Sequence, residues 1–193
     1  MSQIKNKIIR ISFLIFIVTP LAAWFFVKPV RLIAPELVGV KCFDGGVCLE
    51  NEADYEKAKK LRLEAIEFLN KKLGSFENQP KIIFCSTWEC ASKFGLGKRS
   101  AVTLGAYGSA ISPRAWKPHY VRHELIHQLQ AQELGVIKCL LLPSWLIEGM
   151  AYSQSHDPRQ PLNQPWEGYR SQFDNWLVSI ESSSVWFEAA SEW

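Results

Sequence analysis

Histidine is scarce in this chain, four among 193 residues, and there is almost no excess of charge. The net charge of +3 comes from 22 basic and 19 acidic residues. Five of the basic ones (Lys5, Lys7, Arg10, Lys28 and Arg31) flank one apolar stretch, and no acid occurs before Glu36. The remainder holds 17 basic against 19 acidic residues, which removes any charge-based reason to expect nucleic acid as a partner. Cysteine is limited to five, and no two have the two-residue spacing of a structural zinc knuckle. No internal repeat or low-complexity segment appears, so a single ordinary domain is expected once the apolar stretch is set aside.

That stretch is the one long hydrophobic run. Residues 11–27 carry no charge and are just long enough to cross a bilayer core, more comfortably so if Ile8 and Ile9 join them and Arg10 snorkels. Lys5, Lys7 and Arg10 before it favour a cytoplasmic amino terminus and an external body. A cleaved signal peptide is the rival reading, but Trp24, Phe25 and Phe26 crowd the small-residue site at Ala22-Ala23 and favour an uncleaved anchor. The division expected is an anchor over residues 1–30 and a domain over residues 31–193, enough for one core. Cys42 and Cys48 bracket one short loop and Cys85 and Cys90 another, each closable by a bridge in an oxidising compartment; the alternative is five reduced thiols. Cys139 is left over in the apolar run 136–142 and reads as a buried small hydrophobe.

Two of the four histidines fall in His123-Glu124-Leu125-Ile126-His127. Positions i and i+4 share one face of a helix, so both imidazoles can grip a single metal ion. Glu124 stands one residue round, placed to take a proton from metal-activated water. Twenty-one residues after His127 comes Glu148, within Pro143-Ser144-Trp145-Leu146-Ile147-Glu148-Gly149-Met150-Ala151-Tyr152, which reads as a turn, an N-cap at Ser144 and a new helix. Two histidines and a glutamate with an open fourth position form an established catalytic zinc set. The bland reading of Glu148 is an acid favoured near a helix N-terminus.

His-Glu-Leu-x-His followed by Pro-x-Trp-x-x-Glu-Gly-x-Ala resembles the gluzincin branch of the zincin metallopeptidases, in particular small bacterial peptidase MA-like proteins, over about residues 81–152. The resemblance implies an α+β, zincin-like single domain in which a small sheet carries an active-site helix. It also implies Zn2+ held by His123, His127 and Glu148, with Glu124 as general base. The gap to Glu148 is slightly longer than in the thermolysin-like members. In gluzincins a strand lies along the cleft at the sheet edge, and residues 101–113 suit that place; an interior strand or a glycine-rich loop is the alternative. Residues 81–84 form a better strand by composition.

An oxyanion stabiliser is also required. Tyr152, His156 and Tyr169 lie downstream, with Tyr169 preferred because a later element can close over the cleft, and Tyr152 equally readable as a packed neighbour of the ligands. His119 is expected to be exposed in the first turn of the active helix. A helix capped by Asn51 and ended by Gly74 should carry Tyr55, Ala58, Leu61, Ala65, Leu69 and Lys72-Leu73 as one stripe while Lys57, Lys59, Lys60 and Arg62 form a solvated face. Trp166, Trp176, Trp186 and Trp193 in the tail are expected to pack the core or a cleft lid. The function expected is a zinc peptidase in a bacterial inner membrane, single-pass, acting in the periplasm or exterior on peptides or an envelope protein. Its alternatives are a zinc hydrolase of another amide or ester and a non-catalytic binding module of an envelope assembly.

Overall fold

A computed structural model describes residues 2–180 and 184–191, so Trp193 lies outside the described residues. The apolar start is one helical rod, Gln3–Phe26, long and apolar enough to cross a membrane and with none of its apolar window buried against the body. It comprises α1 (Ser2–Phe13), a π-helical stretch Leu14–Val18 and α2 (Thr19–Phe26). Pro20 explains the interruption: a proline inside a helix has no N–H to give and its ring crowds the carbonyl four residues back, so the turn before it widens. Thr19 compensates, with its N–H and its hydroxyl (3.0 Å) both directed at Leu14 O.

The body is α+β. A mixed five-stranded sheet has the order β1-β2-β3-β5-β4, built from β1 (Lys41–Phe43), β2 (Val47–Leu49), β3 (Ile82–Phe84), β4 (Ala101–Leu104) and β5 (Gly108–Ile111). The outer pairs β1/β2 and β4/β5 are antiparallel, whereas β2/β3 and β3/β5 are parallel. Parallel neighbours need a crossover. The chain supplies α3 (Tyr55–Lys72) between β2 and β3, and α4 (Trp88–Lys93) with β4 between β3 and β5. The first hairpin was not apparent in the sequence, where Cys42 and Cys48 only bracket a loop; they face each other across it and are joined. Cys85 and Cys90 form the second disulfide, and Cys139 is free. Both bridges are consistent with an extracytoplasmic body.

Among the described residues five further α-helices follow: α5 (Pro118–Glu133), α6 (Val136–Leu141), α7 (Ser144–Gln154), α8 (Trp166–Ser179) and α9 (Val185–Ser191). One face of the sheet joins α3, α5, α7 and α8 in the main core, where Ala58, Ala65, Leu69, Phe84, Leu125 and Phe173 are fully buried. The other face carries a smaller core with Leu32, Ile83, Phe94 and Ala110, formed with α4 and the 3-10 turn Lys28–Leu32 that follows the membrane helix.

Several local expectations are corrected. Arg62 is buried rather than solvated, because the neighbouring chain offers acceptors: its Nε donates to Pro80 O and its Nη2 to Gln79 Oε1, both at 2.8 Å. Asn51 caps a short 3-10 turn ahead of α3, accepting from Ala53 N at 3.2 Å. Ser144 is the first residue of α7 and makes no capping bond, the N-cap position being Pro143. Residues 101–113 form two strands, because Gly105 (φ 49°) and Gly108 (φ 150°) turn the chain in conformations that L side chains rarely adopt. Trp166 lines the cleft described below, Trp176 packs on Trp145, and Trp186 donates to Leu73 O at 2.7 Å.

Candidate metal centre

Pro118 occupies the first turn of α5, where its missing N–H costs nothing, and the helix runs sixteen residues across the sheet. Its buried face includes Val121, Leu125, Ile126 and Leu129 on the core side and His123 and Glu124 towards a cleft. The cleft has a volume of about 810 Å³ and opens between β4, α5, α6 and α7.

Inside it, His123, His127 and Glu148 converge. The two Nε2 atoms are 3.2 Å apart, Glu148 Oε2 is 3.5 Å from His123 Nε2, and Glu148 Oε1 is 3.7 Å from His127 Nε2. Ligand atoms at zinc bond lengths of about 2.0–2.1 Å in tetrahedral array stand about 3.4 Å from one another. The three donors therefore already have the spacing such an ion needs, and their chemistry suits a borderline-soft dication.

The donors are held from behind. Gln130, three residues after His127 and 1% exposed, accepts through Oε1 from His127 Nδ1 at 2.8 Å and donates through Nε2 to Ile147 O at 2.8 Å. With Nδ1 protonated and engaged, the Nε2 lone pair of His127 is free to face a metal. The same amide ties α5 to the residue preceding Glu148, so one side chain sets the relation of two of the donors. Tyr152, one turn beyond Glu148, packs edge-on against the His123 ring at 4.5 Å between centroids.

Glu124 is not one of the converging donors. Its Oε2 accepts from the Thr103 hydroxyl at 2.7 Å. Thr103 Oγ1 lies 2.7 Å from Ser109 Oγ, which accepts from Gln128 Nε2 at 2.7 Å. With the Thr103 proton given to Glu124, the chain runs in one direction, Gln128 to Ser109 to Thr103 to carboxylate. It fastens Glu124 to β4 and β5. Burial pushes the Glu124 carboxyl above its ordinary value, against the pull of the nearby His127 and the Thr103 bond. Burial acts on Glu148 in the same sense, but the His123 bond and the two imidazoles outweigh it and bring its pKa down to about 2. Burial and the Glu148 charge push the Tyr152 phenol up to about 12, so its hydroxyl keeps its proton.

Of the residues singled out in the sequence, His123, Glu124, His127, Glu148 and Tyr152 share this cleft. Tyr169 is not among the residues that line it; its ring meets Trp166, and its carbonyl faces Gly149 across the α7–α8 contact. His156 lies in a separate hollow beyond Tyr152, 3.0 Å from Lys72 Nζ. His119 is half-buried rather than exposed, its ring tilted against that of Tyr120, with a buried Nε2 that meets no hydrogen-bond partner among the described residues. Cys139 is only partly buried and lines the cleft; burial holds its thiol protonated.

Arg159 escaped the sequence reading. It grips Asp157 with Nε (2.8 Å) and Nη2, gives Nη1 to Tyr120 Oη at 3.1 Å, and lines the cleft. No spacing rule announces it, since it sits in the loop between α7 and α8. Comparison with protein-family models, curated proteins and solved structures finds no match for this chain.

Proposed function

We propose that the protein is a membrane-anchored, zinc-dependent peptidase of gluzincin type, with its body outside the cytoplasm, acting on peptides or a neighbouring envelope protein. The observation that carries this reading is the convergence of His123 Nε2, His127 Nε2 and Glu148 at the spacing of a tetrahedral zinc set, beside a separate buried carboxylate. Zinc in that position supplies a Lewis acid that polarises a carbonyl and makes water acidic near neutral pH.

The chain's own groups then divide the work. Glu124, raised in pKa by burial and oriented by Thr103, accepts the proton of the attacking water and returns it to the departing amine. Tyr152 keeps its hydroxyl proton and donates it as a hydrogen bond to the developing oxyanion; it is preferred to Tyr169 because it lines the cleft. β4 ends the sheet, and Ala101, Val102 and Thr103 line the cleft, so its outer edge offers backbone groups to an extended peptide.

The test uses the full-length protein in detergent, assayed for zinc and against a peptide library beside Glu124→Gln. Expected are bound zinc in both proteins and turnover lowered about 10²–10⁴-fold in the variant. Absence of zinc, or equal turnover, overturns the reading.

A further inference from the structure

The membrane helix is fastened to the body. The Arg31 guanidinium donates from Nε to Trp24 O at 3.2 Å and from Nη2 to Phe25 O at 3.5 Å, carbonyls of the last helical turn, while Nη1 reaches Lys93 O at 2.9 Å at the end of α4. Lys28, two residues beyond Phe26, lies against the loop after α4: a Cβ on Gly95 would sit 3.0 Å from Lys28 Cβ. The Gly95 carbonyl in turn accepts from Arg99 Nη2 at 2.7 Å. Arg99, Lys98 and Arg114 line one end of the metal cleft. A continuous path of contacts thus joins that end of the cleft to the point where the chain leaves its apolar span.

The headgroup layer on each side of a bilayer is about 5–8 Å thick, so groups one or two residues' contact from the helix end are within reach of it and settle on it where its charge attracts them. Lys28, Lys98, Arg99 and Arg114 are exposed and Lys93 is half-buried. Among the described residues none of the five is ion-paired with a carboxylate. The nearest acids are Glu36, Glu89, Glu50, which accepts from Thr87 at the start of α4, and Glu124 in the cleft, on which the Arg99 charge acts; among the described residues none of them forms an ion pair with the five cations. Apolar side chains of the segment that follows the helix are exposed too, Ile33 by 49% and Leu37 by 76%. A rim of unpaired cations with exposed apolar neighbours at a helix exit matches an anionic lipid surface, whose attraction acts within about 8 Å.

We propose that Lys28, Lys93, Lys98, Arg99 and Arg114 form a collar that rests on anionic lipid headgroups and holds the basic end of the cleft at the membrane surface. The collar stands whatever the cleft contains. Segments presented at the bilayer surface are then the ones that reach the cleft from this end.

The test is made on full-length protein carrying Cys139→Ala, reconstituted in vesicles of phosphatidylcholine and phosphatidylglycerol with headgroup-nitroxide lipid. A fluorophore is placed at Lys28→Cys, Lys98→Cys or, on the opposite side of the sheet, Lys60→Cys. Quenching at position 98 equal to that at 28 and well above that at 60 is expected, with loss of quenching at 98 when Lys93→Gln and Arg114→Gln are added. Quenching at 98 no greater than at 60 overturns the proposal. So does quenching at 98 that is the same in purely zwitterionic vesicles, or shielding of that label by a soluble acidic peptide without quenching.

Discussion

Gln130 shows how much of a candidate metal site lies one atom behind its donor groups. Its carbonyl oxygen takes the Nδ1 proton of His127 while its amide holds the backbone just ahead of Glu148, so Gln130→Ala should weaken metal binding about 10–100-fold without removing a ligand. Competition with a zinc chelator measures that loss; an unchanged affinity would show that the imidazole is oriented by packing alone. Position i+3 from His127 was a usable signal for this residue. Arg159 gave none, because its partners Asp157 and Tyr120 come from a loop and from another helix. Burial drives the Asp157 carboxyl up, but the Arg159 hydrogen bonds outweigh it and leave its pKa below the ordinary 3.8. A depressed folded-state pKa adds stability above the unfolded value and loses it as pH falls through the folded one. Asp157→Asn should therefore cost about 1 kcal/mol at neutral pH, since Arg159 is partly exposed, and the difference should shrink below about pH 4. Urea titrations at both pH values check the sign.

Among the elements, α5 was the most legible, since its apolar positions, Pro118 and Gly135 mark both its face and its ends. The stretch 101–113 was legible as extended chain but not as a hairpin, since two glycines with positive φ leave the turn position open until pairing with β3 fixes which half is interior. The first hairpin is three residues per strand, too short for alternation to register. Gly149 is a different case. In the sequence it belongs to a motif around Glu148; in the fold it lets the backbone of α8 approach α7, where a Cβ would collide with the Tyr169 carbonyl oxygen. Neither that carbonyl nor the α7 backbone can yield easily, so Gly149→Ala should destabilise the body by about 1–3 kcal/mol. It should also weaken metal binding, because α7 carries Glu148. Thermal unfolding with and without added zinc separates the two effects, and a variant as stable as the parent would show that α8 is free to shift.

At the scale of the molecule, the chain couples an apolar rod, a sheet closed on both faces and a cleft at the sheet edge. The rod and the pairing of His123 with His127 were visible in the residues themselves, because composition over two dozen positions and an i, i+4 spacing survive without knowledge of the fold. The polar chain behind Glu124 was not, since Thr103, Ser109 and Gln128 meet only after β4 and β5 fold back on each other beneath α5. Replacing Thr103 by Val should leave zinc content intact while lowering turnover, an outcome read by comparing metal stoichiometry with peptide hydrolysis; equal loss of both would make Thr103 structural. The most direct measurement of the central claim is zinc K-edge X-ray absorption on the full-length protein, with His127→Ala beside it. The account predicts one zinc bound by two imidazole nitrogens and carboxylate oxygen at about 2.0–2.2 Å, with one imidazole lost in the variant. A sulfur in the coordination shell, an unchanged shell in the variant, or no zinc at all would contradict it.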